Sequence, residues 1–200
     1  MLAGPSEILI WADDKANPQY LACDLLSQAE HDVEASAILI TTSDSLVEKV
    51  RGEIEHELKN LNRREIIQEA LDKKGKLIIA EDETMVLDFI NYFAPEHLEL
   101  QIENPWQILG EIKNAGAIFV GAYAPEPLGD YWAGPNHILP TSRGARCFSP
   151  LSVTDFNKRS SIIFYNQKSL KQDSKKIISL ARLEGLEAHA RSIEIRYSTK

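Results

Sequence analysis

The sequence predicts an α/β fold, a mostly parallel sheet with helices on both faces, and three observations carry that reading. Short apolar runs bounded by turn residues recur at 7–12 (EILIWA), 37–41 (AILIT), 76–80 (KLIIA) and 117–120 (AIFV). Stretches with helical apolar spacing separate them, and strands alternating with helices at such intervals build parallel sheets. Hydrophobic residues make up 44% of the 200 positions, enough for a sizeable core.

Taken in order, the first strand enters an acidic turn at Asp13 and Asp14. Asn17 is placed to cap the next helix with Pro18 at its first position. Leu21, Leu25, Leu26 and Ala29 then give a helical stripe that runs on through His31. After the second strand, Ser43 or Ser45 caps a charged helix reaching about Leu61, with Val47, Val50, Ile54 and Leu58 on its apolar face. His56 lies on that helix among Glu53, Glu55, Glu57 and Lys59 and reads as a solvated residue. Another helical pattern follows Asn62 and Arg63, then the third strand. A helix over 84–92 delivers the chain to NYFAPEHLEL, where Pro95 stops it and pushes Ala94 toward an extended conformation. Residues 98–102 read as extended, Asn104 and Pro105 start a short helix, and Gly116 and Gly121 bound the strand at 117–120.

From Ala122 onward Pro and Gly punctuate YAPEPLGDYWAGPNHILPTSRG. Such a segment has little regular structure, and Tyr123, Tyr131, Trp132 and Ile138 would let it fold over a pocket. SIIFY at 161–165 reads as a strand, 171–189 as a helix softened by Gly185, and SIEIRY as a terminal strand. The expected division is a sheet domain over 1–150 and a C-terminal extension over 151–200 that packs on a partner subunit. The chain opens almost on a strand, which suggests a piece of a longer polypeptide.

Several function classes fall away on bulk properties. Lys and Arg total 22 against 30 Asp and Glu, and a net charge of -8 argues against a nucleic-acid or anionic-membrane surface. Cys23 and Cys147 are the only cysteines, too few for a disulfide scaffold and in keeping with a reducing, cytoplasmic compartment. The start carries no basic region ahead of a long apolar run, and no stretch approaches a membrane span. GxGxxG and GxxxxGK[ST] are both absent, so the sheet lacks the short signatures of common phosphate cradles.

The chemistry-bearing residues concentrate in a few places. Glu96 and His97 put a carboxylate beside an imidazole at a loop-to-strand junction. Gln28 and His31 stand at i and i+3 and so face the same way on one helix. Asp130 and His137 flank the Gly-Pro turn of GDYWAGPNH, and His189 lies near the chain end. Imidazole and carboxylate suit zinc without any cysteine, although no HExxH or CxxC is present. Ser-His-Asp hydrolysis finds no nucleophile elbow, since Ser6 precedes its strand. Cys147 with His97 or His137 stays open as a thiol alternative, without a special activating arrangement.

Taken together, LAGPSEILIWAD, LLSQAEHD, NYFAPEHLEL, NAGAIFVG, LGDYWAGPNHILPTSRGARCFSPL, DFNKRSS and LEGLEAHARSIEIR resemble the second half of histidinol dehydrogenase, in family order from near residue 1 to near residue 196. The resemblance implies a Rossmann-like sheet and a zinc-dependent, NAD-linked oxidation of L-histidinol to L-histidine through the aldehyde. It implies zinc ligands at Gln28, His31, Asp130 and His189, an acid–base pair at Glu96 and His97, and substrate contacts at Ser6, His137 and Glu184. It further implies a homodimer in which Glu184 and His189 complete the partner's site. The family's first half, with much of its NAD site, has no counterpart in this chain. A catalytically silent zinc-binding module, or a subunit needing a separate NAD-binding half, is therefore the alternative.

Overall fold

The computed structural model describes residues 4–198. The chain divides into two units, one ending at Phe156 and one starting at Asn157. In the first, five strands form one sheet: β1 (Glu7–Ala12), β2 (Ser36–Thr41), β3 (Lys76–Ile79), β4 (His97–Gln101) and β5 (Ala117–Val120). Their order is β3-β2-β1-β4-β5 and every pairing is parallel. The order reverses between β1 and β4, so these two strands form the centre and are the most deeply buried.

Helices cover both faces, as the alternation of the sequence requires. On one face α1 (Pro18–Ala29), α2 (Asp44–Glu57) and α3 (Arg64–Lys74) pack Leu21, Leu25, Val50 and Ile67 against Ile8, Ile10 and Leu39. On the other, α4 (Glu83–Phe93) and the short α5 (Pro105–Ile108) cover Leu9, Trp11, Ile40, Leu98 and Leu100. Side chains alternate across a strand, so neighbours in β1 and β4 supply opposite cores. The caps are the expected ones: Asn17 accepts from the Gln19 N–H, and Ser43 accepts from the Leu46 N–H.

Three local expectations are corrected. Ala94 is not extended but left-handed, at φ 52° and ψ 62°, and ends α4 by donating its N–H to the Ile90 carbonyl at 2.8 Å. The cap geometry outweighs the preference imposed by Pro95, and Ala94 is fully buried, which holds it there. The α1 helix stops at Ala29, two residues short of His31, so Gln28 is buried while His31 lies beyond the helix and is exposed. The loop covers less than expected: Tyr123, Tyr131 and Trp132 are exposed, although Tyr123 and Tyr131 each line a cavity, and Leu139 is the buried apolar anchor of that segment. Part of the loop is helical, α6 (Glu126–Tyr131).

In the second unit, SIIFY is not a strand: residues 157–166 carry no regular structure, and Ile162, Ile163 and Phe164 are exposed. Alternation marks a strand only where a ladder partner exists. The unit's two helices, α7 (Gln167–Leu183) and α8 (Glu187–Ser198), pack on each other across Gly185, whose φ of 75° makes the break. SIEIRY lies in α8, so the terminal strand is also corrected. Arg182 bonds Glu187 and Glu194, a pairing that helical spacing permits and an extended segment would break.

Candidate active site

β4 carries the site because its polar residues alternate. His97, Glu99 and Gln101 share one face of the strand, while Leu98 and Leu100 enter the opposite core. All three polar side chains are buried, so each needs a partner.

The start of β4 is gripped from β5. The Gly116 N–H donates to the Pro95 carbonyl at 2.9 Å and the Ala117 N–H to the Glu96 carbonyl at 2.8 Å. A Cβ on Gly116 would lie 2.5 Å from the Glu96 carbonyl oxygen, so only glycine allows this approach. Glu96 is thereby directed beside β1, where its Oε2 accepts from the Glu7 N–H at 2.9 Å. Burial pushes the Glu96 carboxyl up to about 7; the Glu7 N–H opposes this, and the nearby Glu7 and Glu126 carboxyls add to it.

His97 is fixed at both nitrogens. Its Nδ1 lies 2.9 Å from the Glu7 carbonyl oxygen, which can only accept, so Nδ1 carries the proton and Nε2 keeps its lone pair. Nε2 lies 3.0 Å from Nε2 of His137, which in turn lies 3.0 Å from Oε1 of Glu126. The two rings stack with centroids 4.8 Å apart. Burial pushes the His97 imidazole down to about 4, with the His137 and His31 rings acting in the same direction. The His97 ring is therefore neutral at neutral pH. Gly129 makes room for this stack, since a Cβ there would lie 2.7 Å from the Phe119 ring and 3.3 Å from Cε1 of His137.

The remaining expected residues fall as follows. His31 and Asp130 line one cavity of about 180 Å³ together with Glu126 and Tyr131. Gln28 is 1% exposed, and neither its Oε1 nor its Nε2 has a hydrogen-bond partner. A buried amide with both ends unpaired is costly unless something binds it, and a cation beside Oε1 would satisfy it. Gln28, His31 and Asp130 thus fit a zinc ion in donor type. Ser6 is half-buried just before β1, its carbonyl accepting from the Ser36 N–H. Glu184 and His189 belong to the second unit, where Glu184 caps α7, His189 sits in the first turn of α8, and both are exposed. Cys147 is exposed, and among the described residues no hydrogen bond joins it to His97 or His137.

Sequence reasoning passed over Glu7, Glu126, Asp24, Glu99 and Gln101. The alternation of HLELQ is the signal that could have found two of them, because a central strand with three polar residues on one face must bury them. His97, Glu126 and His137 also bring their ligand atoms within 4.8 Å of one another and could hold a metal. A cation there would occupy the lone pair of His97 Nε2 and remove the base, so the trio and the acid–base reading exclude each other. A wider cavity of about 830 Å³ between α2 and α3 is lined by exposed charged side chains and touches none of these residues.

Comparison with known proteins bears on this arrangement. The histidinol dehydrogenase family model matches residues 1–197. A histidinol dehydrogenase of Listeria monocytogenes is 55% identical over 197 residues, which are 98% of this chain and 46% of that protein. One from Carboxydothermus hydrogenoformans is 51% identical over 200 residues, 100% of this chain and 47% of its own length. The crystal structure of histidinol dehydrogenase from Elizabethkingia anophelis superposes with a TM-score of 0.91 at 37% identity, over 99% of this chain and 46% of that one. The chain spans about half the length of the curated relatives it matches.

Proposed function

The chain belongs to the histidinol dehydrogenase family, and on that premise we propose that it carries the metal, substrate and acid–base residues for oxidising L-histidinol to L-histidine through the aldehyde. The observation that carries this reading is the locked His97 imidazole, with Nδ1 spent on the Glu7 carbonyl, Nε2 keeping its lone pair toward His137, and the Glu96 carboxyl held near 7 on the Nδ1 side of the ring.

His97 Nε2 takes the hydroxyl proton of the alcohol and later that of the hydrated aldehyde. A base held down to about 4 is always available but weak, so the imidazolium that forms needs support. Glu126, with Oε1 3.8 Å from His97 Nε2 and 3.0 Å from His137 Nε2, supplies the nearby negative charge. Glu96, poised to ionise near neutrality, takes a proton from the water that adds to the aldehyde between the two oxidations. NAD, when bound, supplies the two-electron acceptor.

Gln28, His31 and Asp130 would hold zinc, with His189 as the fourth ligand contributed by a partner subunit of a homodimer. Zinc, when bound, supplies a fixed charge that orients the amino and imidazole nitrogens of the substrate. Ser6, His137 and Glu184 are the further substrate contacts of this proposal. No glycine-rich phosphate cradle follows β1 in the sequence, which favours a second reading in which a separate half provides NAD capture and this chain is silent without it.

The two roles separate by substitution in the assembled enzyme. His97→Ala is expected to keep its zinc and lose about 10³-fold in turnover. His31→Ala is expected to lose zinc itself, read by metal analysis. Normal turnover in the His97 variant would overturn the base assignment.

A further inference from the structure

The second polar cluster of β4 adjoins the acid–base residues through Glu126, whose N–H bonds Glu99 and whose carboxyl meets His137. Asp24, from α1, and Glu99 bring two buried carboxyl groups to one place, and burial raises both above the usual carboxylate range. Nε2 of Gln101 donates to Oδ2 of Asp24 at 3.0 Å and to Oε2 of Glu99 at 3.1 Å, and the Glu126 N–H donates to Oε1 of Glu99 at 2.9 Å. Asp24 is 9% exposed, Glu99 1% and Gln101 5%. Among the described residues no lysine or arginine pairs with either acid. Gln101 Oε1, buried beside them, also has no hydrogen-bond partner. A buried charge without a counter-charge is costly, and so is an acceptor without a donor.

Two cavities open at this cluster. One, of about 390 Å³, lies outside the carboxyl ends of β1 and β4 and is lined by Asp13, Gln101, Glu103, Tyr20 and Tyr123. The other, of about 310 Å³, is lined by Asp24, Cys23, Pro125 and the same two tyrosines. Their shared wall is Tyr20, Ala122 and Tyr123. The place is the crevice where the strand order reverses, at which open α/β sheets bind ligands. Phosphate does not suit it. Its one lysine, Lys15, is held by Glu103 at 2.6 Å, and its remaining charges are acidic.

The geometry points to this crevice as a binding site for a small organic cation, a protonated amine seated between Tyr20 and Tyr123 with its charge toward Asp24. The tyrosine faces attract a cation, the carboxyl pair supplies the counter-charge, and an N–H of the ligand satisfies Gln101 Oε1. The site is distinct from the histidine cluster, so its occupancy does not depend on His97.

The test is a titration of the assembled enzyme, carrying ¹³C-labelled tyrosine rings, with benzylamine, protonated at pH 7, and separately with uncharged benzyl alcohol. The expected result is a saturable shift of the Tyr20 and Tyr123 signals with the cation alone. Asp24→Asn, which keeps the shape, should weaken it at least about tenfold, and Tyr123→Ala roughly threefold. His97→Ala should leave it unchanged, and circular dichroism identifies any variant that has unfolded. No saturable response up to about 10 mM, an equal response to benzyl alcohol, or an unaltered affinity in a folded Asp24→Asn protein overturns the assignment. A crevice covered by another part of the assembled enzyme gives the first of these results.

Discussion

The two ends of β4 bury the same kinds of side chain and reach opposite protonation states. At the entrance, burial strips His97 of its proton and holds Glu96 near 7, each against a Glu7 backbone hydrogen bond that opposes the shift while it fixes one atom of the side chain. Two and four residues on, Gln101 bridges Glu99 and Asp24, and burial holds both carboxyls above their ordinary range. Burial alone therefore does not make a reactive group. The partner atoms decide whether it ends as a free base or as a satisfied pair.

The largest effect that tests this contrast is steric. Gly116→Ala places a Cβ against the Glu96 carbonyl, whose neighbours β1 and β5 cannot yield, and should cost about 2 kcal/mol in stability. Denaturant unfolding measures it; an unchanged midpoint would mean that the entrance of β4 is not rigid. A chemical effect comes next. Glu96 must ionise to act on water, so the kcat/KM profile should rise with pH through about 7, and Glu96→Gln should flatten that limb. His97, held down to about 4, contributes no limb in the same range. A limb that survives in the Gln variant would reassign it.

The smallest effect belongs to the far end. Burial raises Asp24 from 3.8 to about 6, so its contribution favours the folded state below the unfolded value and is lost as pH rises through about 6. Asparagine has no such loss. Asp24→Asn should therefore stabilise the protein by on the order of 1 kcal/mol at pH 8, with the gain vanishing below pH 4. Thermal unfolding at the two pH values checks it, and destabilisation at pH 8 would show that the hydrogen bond from Gln101 is worth more than the charge costs.

The sheet was legible because its signals are local and redundant: period, caps at Asn17 and Ser43, and glycines around β5 all agree. Glu96 and His97 were legible as a pair, but their surroundings were not. Glu7 lies 89 residues from Glu96, and Glu126 enters through a segment whose Pro and Gly content hides a helix. The errors at SIIFY and SIEIRY share one cause. An apolar run such as SIIFY, or an alternating one such as SIEIRY, states only that a segment could be a strand, and a neighbouring strand is needed to turn that into a ladder. Ala94 failed for the opposite reason, since a rule about Pro95 was outweighed by the helix cap and by complete burial.

The central claim is that His97 presents a bare Nε2 because the Glu7 carbonyl holds the proton on Nδ1. Nitrogen-15 NMR of the imidazole in the assembled enzyme at pH 7 reads this directly. A neutral ring protonated at Nδ1, with Nε2 at the shift of an unprotonated nitrogen, is the predicted result. A ring protonated at Nε2, or an imidazolium at that pH, would contradict the account and leave the site without its base.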